Sequence, residues 1–339
     1  MDLQIPPLLG LLAAITVCSA PGQAQGSGAI GGYTLGFVFD SQNSALRALV
    51  GIPGAATLGT QLDLGAAIRQ AFVSSQQNYA VVLTDSGALV ATFVSAADPP
   101  VTAPLGFDSS AAAVVALSPD GSSAAFYSPN ESLIRIVTGL PGSPAIANSV
   151  PTPAIAGTIR LLAITNDAAQ LVAVADTPDT DSVILIDRAG NPRTLTSSTH
   201  ISALHFIGGT GNLLVADDAA DTVSEVQDVA GSASLQPLAA ASDGIAGPIG
   251  VDASLDGKLV VVANGRAQNI FAFDPNGSQR GTYSCPCAPA GLGRLNGNSV
   301  FLLNAISGTD PLWLFDGDNA TPRVVFIPAV QGAPAASTQ

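Results

Sequence analysis

Residues 248–283 read PIGVDASLDGKLVVVANGRAQNIFAFDPNGSQRGTY. Ile249 to Ala253 is a short apolar strand, Ser254-Leu255-Asp256-Gly257 is turn chemistry, and Leu259 to Asn264 is a second, valine-rich strand. Asn269 to Asp274 gives a third strand, Pro275-Asn276-Gly277 turns, and Ser278 to Tyr283 is the fourth. The junction between a turn and a strongly apolar strand recurs at Asn78, Gly121, Ala169, Gly211, Gly257 and Gly297, at intervals of 43, 48, 42, 46 and 40 residues. A repeat of roughly this length, each unit holding four short strands, defines a β-propeller, in which one four-stranded antiparallel sheet is one blade.

The turns have a mechanism. Glycine supplies positive φ, and Asp, Asn and Ser side chains bond back to their own backbone. Ser118-Pro119-Asp120-Gly121 repeats the first turn, and third strands close on Asp at Val183 to Asp187 and Leu312 to Asp316. These aspartates read as turn residues rather than ligands.

Composition agrees. Hydrophobic residues make up 47 % of the chain and charged residues 11 %, against roughly 25 % charged in an average domain. Stacked blades cover both faces of a sheet, so a strand such as Leu259 to Ala263 can be apolar throughout. No segment has the 3.6-residue period and caps of a long amphipathic helix, so almost no helix is expected outside the leader. Six units have complete first and second strands, the last ending with Arg323 to Ile327. Leu35 to Asp40 and Ala45 to Val50 fit third and fourth positions of an N-terminal partial blade. The expected fold is all-β, one propeller over residues 25–329 of about seven blades, six complete and one partial.

Leu8 to Val17 is an apolar run of the length of a signal h-region, too short to span a bilayer. Gly22-Gln23-Ala24 offers small residues for cleavage after Ala24, so residues 1–24 read as a signal peptide and the protein as secreted or periplasmic. The n-region has Asp2 and no Lys or Arg. Ile15-Thr16-Val17 lacks the small residue wanted before a lipidated cysteine, which argues against Cys18 as a lipid anchor. Residues 330–339 read as a disordered tail.

Cys285 and Cys287 remain after cleavage, separated only by Pro286. A disulfide or thiol pair bracing a loop is one reading. A metal site would need two further ligands, and a redox pair would depart from Cys-x-x-Cys spacing. His205 occupies an apolar first-strand slot shared with Phe72, Val115, Ala163 and Val251, and so reads as a packed histidine. His200 lies at a loop edge, and the two do not share a familiar metal spacing. Gly26, Gly28 and Gly31 match a dinucleotide-binding glycine pattern, but no strand precedes them and no helix follows. Asp176, Asp179 and Asp181, and Asp217, Asp218 and Asp221, do not fit a twelve-residue calcium loop and read as solvated loops. No catalytic, cofactor or metal residue is assigned. A formal net charge of −14 argues against nucleic acid and anionic lipid as partners, and no later segment reads as a membrane span.

Ser254-Leu255-Asp256-Gly257 through Val261-Val262-Ala263-Asn264 to Ile270-Phe271-Ala272-Phe273-Asp274 resembles the YVTN-type, WD-repeat-like propeller unit. Gly36 to Asp40 followed by Leu46 to Ala56 resembles the opening of a group of secreted, uncharacterised bacterial propeller proteins. The resemblance implies the fold and leaves the activity open. Propeller lactonases are similar in scaffold, but their His, Arg and Glu set has no match in this chain.

One function is the expected reading and two alternatives stand beside it. The first is a non-catalytic scaffold that recognises a protein, peptide or glycan through blade-connecting loops. The second is an enzyme of lactonase, lyase or quinoprotein type, which would require polar groups such as Arg160, Asp252, Arg294 and His205 to converge in the central channel. The third is a structural cell-surface component.

Overall fold

The computed structural model describes residues 32–96, 98–107 and 112–329. The signal-peptide reading, Cys18, the Gly26, Gly28 and Gly31 pattern and the 330–339 tail lie outside the described residues. Seven antiparallel sheets follow one another along the chain, six of four strands and one of three. Each is built from consecutive strands, so every connection is a hairpin or a short crossover to the next blade. The helical content of the described residues is confined to two three-residue 3-10 turns, Pro129–Glu131 and Ala241–Asp243.

Burial peaks at the second strand of a blade and is lower at the channel-side strands Gln70–Val73 and Val114–Leu117. The second strands Tyr79–Thr84, Ser123–Ser128 and Val260–Asn264 are buried at every residue. Outermost Val101–Pro104 is exposed throughout. A second strand is covered on both faces by neighbouring blades, which is why Val260, Val261 and Val262 stand in a row rather than alternating with polar residues. Each such valine contributes about 1.5–3 kcal/mol of burial free energy, and alanines between them let the sheets approach closely.

The repeating first turn closes as its chemistry requires. Ser118, Thr165 and Ser254 hydroxyls donate to Asp120, Asp167 and Asp256 at 2.9, 2.7 and 2.7 Å. Gly121, Ala168 and Gly257 end these turns with left-handed backbone, at φ 72°, 54° and 67°. The third-strand aspartates divide. Asp187 accepts from the Ala189 and Asn191 amides, as a turn residue should. Asp274 and Asp316 pair instead with Arg280 and Arg323 on the outer strands.

The acidic loops are not simply solvated. Asp181 is buried beneath the Arg160 guanidinium and accepts from the Ile201 amide of the next blade at 2.7 Å. Asp217 is buried too, and Asp221 accepts from the Gly247 amide and Arg266 across a blade boundary. Asp176 and Asp179 are exposed. Low charge density in the sequence thus conceals a set of charges spent on holding blades together.

The first blade departs from its sequence reading. It holds three strands, β1 (Thr34–Asp40), β2 (Ala45–Val50) and β3 (Thr57–Leu62). β1 and β2 carry the burial of second and third strands, and β3 is the exposed outer one. Among the described residues the strand this blade lacks is therefore the innermost. Turn chemistry in the sequence could not reveal this, because a hairpin between third and fourth strands is written in the same residues as one between second and third.

Candidate functional site

Innermost strands and the turns that follow them surround the channel. Three of the four polar residues that could have met there do so. His205 comes from Ile201–Phe206, Asp252 from Pro248–Ala253 and Arg294 from Gly293–Arg294, on three successive blades. His205 Nε2 lies 3.1 Å from Asp252 Oδ1, and the same oxygen accepts from Arg294. Arg294 also donates to the carbonyls of Ala253 and Asn298, and its guanidinium lies over the Phe301 ring at 5.0 Å. The Arg294 side chain is 5 % exposed and that of His205 22 %. Arg160 stays apart, held by Asp181 and the Ile201 carbonyl.

Electrostatics make the cluster a lock. Burial holds the His205 ionisation below the ordinary imidazole value; Asp252 opposes this and Arg294 reinforces it. At neutral pH the ring is uncharged, while Asp252 is neutralised by a guanidinium with three polar contacts. A carboxylate already committed to an arginine is a weak orienter for a histidine base.

Above this floor the turns form a rim. A cavity of about 290 Å³ is lined by Gln76, Pro119, Asn166, Gly208, Ser254 and Arg294, one residue from each of the six complete blades. A second, of about 320 Å³, shares Pro119, Asn166, Gly208 and Gly209 with it and extends to Asp167, Gln170 and Thr210. The rim is cross-braced. Asn166 Oδ1 accepts the Asp120 amide at 3.1 Å, and Asn298 Oδ1 accepts the Asp256 amide at 3.0 Å. The Gly208-Gly209 stretch leaves one side of it bare, with nothing within 4 Å of a side chain at Gly209. Amides, hydroxyls, carbonyls and two carboxylates held on a rigid ring can hydrogen-bond neutral or cationic polar groups. His205 is the one imidazole that reaches this space.

Cys285 and Cys287 are joined as a disulfide, their Cα atoms 5.0 Å apart, at the start of the crossover into the last blade. Cys285 is buried against Phe301 and Phe315. His200 sits on the surface, bonded to Asp218 at 2.6 Å. Among the described residues no group of three His, Cys, Asp or Glu side chains is placed to hold a metal ion, and no helix is long and apolar enough to cross a membrane.

The residue missed in the sequence is Gln77. It stands at the glycine slot of the repeating turn, Ser74-Ser75-Gln76-Gln77, with φ 55°. Its Oε1 accepts the Phe37 amide of β1, and its Nε2 donates to the Arg294 carbonyl. Aligning the four turns by their last residue would have exposed a long polar side chain where glycine is preferred.

The architecture defines a seven-bladed β-propeller. No family model and no curated protein matches the chain. Solved structures do. A functionally unknown protein from Desulfotomaculum acetoxidans superposes with TM-score 0.58 at 14 % identity, covering 88 % of this chain and all of that one. A streptogramin B lyase gives 0.52 at 13 % identity over 83 % and 89 %, and Kuenenia stuttgartiensis hydrazine synthase 0.50 at 14 % over 91 % and 99 %. At such identity the likeness is one of fold.

Proposed function

We propose that this chain is a secreted or periplasmic propeller of YVTN type that recognises a peptide or glycan, free or displayed on a protein, at the channel mouth, without catalysis. The observation that carries this reading is the rim cavity, to which five blades contribute a turn and the last blade Arg294, itself held in the Asp252–Arg294 lock. Rigid loops lose little conformational freedom on binding, so affinity comes from contacts already positioned. The amide- and hydroxyl-rich lining suits the neutral hydrogen-bonding groups of a sugar or a peptide backbone.

The test is a parallel screen of a glycan array and a displayed peptide library with the wild-type chain and Gly208→Trp. Gly208 lies outside the left-handed region and its nearest neighbour to an added Cβ is Pro119 at 3.6 Å, so an indole there fills the cavity without straining the turn. Selective binding lost in Gly208→Trp supports the reading. Binding unchanged by Gly208→Trp, or turnover of a lactone or glycoside panel abolished by His205→Gln, overturns it.

A further inference from the structure

The disulfide between Cys285 and Cys287 does little for the fold. Both cysteines lie on the crossover from the outer strand Gln279–Ser284 to the inner strand Gly293–Arg294, so the bond ties no strand to another strand and no blade to another. A disulfide stabilises mainly by restraining the unfolded chain, and the effect shrinks with the loop that it closes. Here the two cysteines are only two residues apart. The crossover is anchored without the bond. The Cys285 amide donates to the Gln268 carbonyl at 2.9 Å, and the Ala290 amide to the Leu303 carbonyl at 2.7 Å.

The two sulfurs are not equivalent. Cys285 is 4 % exposed among Ile270, Phe301 and Phe315, whereas Cys287 is partly exposed. Between the two anchors Pro286 and Pro289 have no N–H to give, and among the described residues Cys287 makes no backbone hydrogen bond. Packing and the disulfide itself hold Cys287 in place. A fold makes a disulfide resistant to reduction by keeping both thiols together once the bond has opened, and this one secures only Cys285 by a backbone bond. Tyr283, Trp313 and Val324, all partly exposed, pack against the same core cluster as Cys287, and Phe326 lies on Trp313 with ring centroids 5.6 Å apart. The reachable sulfur therefore stands on an apolar, aromatic surface.

We propose that the Cys285–Cys287 disulfide is a thiol–disulfide exchange site that oxidises the dithiol of a partner protein. The inference goes beyond the reading of the channel mouth and does not depend on it. The chemistry needs one reachable sulfur and a second cysteine beside it, which Cys-Pro-Cys supplies without Cys-x-x-Cys spacing. A thiolate of the partner attacks Cys287 Sγ; the S–S bond breaks, a mixed disulfide forms, and Cys285 leaves as a thiolate and takes up a proton. The partner's second thiol then attacks its own sulfur in the mixed disulfide and releases Cys287 as a thiol. Two electrons and two protons pass from the partner to this chain, and the partner leaves with a disulfide. An apolar pocket solvates a departing thiolate poorly, so the first step is slow and readily reversed. A monothiol such as glutathione stalls there, whereas a dithiol carries the exchange to completion.

The test equilibrates full-length protein carrying Cys18→Ser, which removes the third thiol, with an equimolar mixture of reduced and oxidised thioredoxin. Acid quenching, alkylation and mass spectrometry then count the two forms. The reduced form is expected in excess by about tenfold, with the far-ultraviolet circular dichroism of the folded chain retained. Thioredoxin whose resolving cysteine is replaced by serine should be trapped as a mixed disulfide on Cys287. An excess of the oxidised form, reduction that occurs only with loss of the folded spectrum, or trapping on Cys285 overturns the proposal. So does failure of a Cys285→Ser, Cys287→Ser double variant to fold, which would make the bond a structural brace.

Discussion

The backbone amide of Phe37 donates at 2.6 Å to the side-chain oxygen of Gln77, forty residues away on the next blade. The other end of the same carboxamide reaches the Arg294 carbonyl on the last blade. A primary amide has the donor and acceptor of a peptide unit, so Gln77 bonds the inner edge of β1 where, among the described residues, the first blade has no strand. It does so from a left-handed position that glycine fills in the turns of the third and sixth blades.

Two opposing effects meet at Gln77, and magnitude decides between them. Gln77→Gly relieves about 1–2 kcal/mol of backbone strain. It also leaves a buried N–H and a buried C=O without partners, at about 1–3 kcal/mol each. Net destabilisation of about 1–3 kcal/mol is expected by urea denaturation, and a gain in stability would show that the bridge is unimportant.

Ala168 is the control at the equivalent slot. Its φ is 54° and its methyl packs at the edge of a core cluster without a hydrogen bond, so Ala168→Gly relieves strain with no lost bond. Offset by the greater freedom of glycine in the unfolded chain, a stabilisation of about 0.5–1 kcal/mol is expected. Opposite signs for the same kind of substitution in the same turn would separate bridging from backbone preference.

Arg294 is almost fully buried and neutralises Asp252. Arg294→Met leaves a desolvated carboxylate, with an expected cost of about 3–5 kcal/mol. The double variant with Asp252→Asn should recover part of that loss in a double-mutant cycle. Additive losses would mean that the two side chains act separately.

His205 sets a pH dependence with a definite sign. Its ionisation is held below the ordinary value by burial, so the unfolded chain takes up this proton first, near pH 6.5. The contribution is complete above about pH 6.5 and is lost as pH falls below it. Denaturation midpoints at pH 7.5 and 5.0 should differ less in His205→Gln than in the wild type. An unchanged difference would place the acid sensitivity elsewhere, in the carboxylates.

Blade count and the turn–strand repeat were legible because both are local. Ser254-Leu255-Asp256-Gly257 sets its turn from its own side chains, and valine runs such as Val260 to Val262 announce burial on two faces. The channel cluster was legible only as a set of candidates. His205, Asp252 and Arg294 are 47 and 42 residues apart, and whether they meet depends on strand phase, which bulges at Ile201 to Ala203 and Pro248 to Gly250 shift. The acidic loops misled because a carboxylate bonded to the next blade looks, in sequence, like one in water. The turn slot of Gln77 was open to alignment, but its bridging role was not, because its partners Phe37 and Arg294 lie 40 and 217 residues away.

The most direct measurement is an experimental structure of the protein purified from its own host, read for density at the channel mouth. A peptide or sugar hydrogen-bonded to the turns around Asn166, Gly208 and Ser254, above an intact Asp252–Arg294 pair, is the expected result. A metal, a quinone or a covalently altered substrate held against His205 would contradict recognition without catalysis.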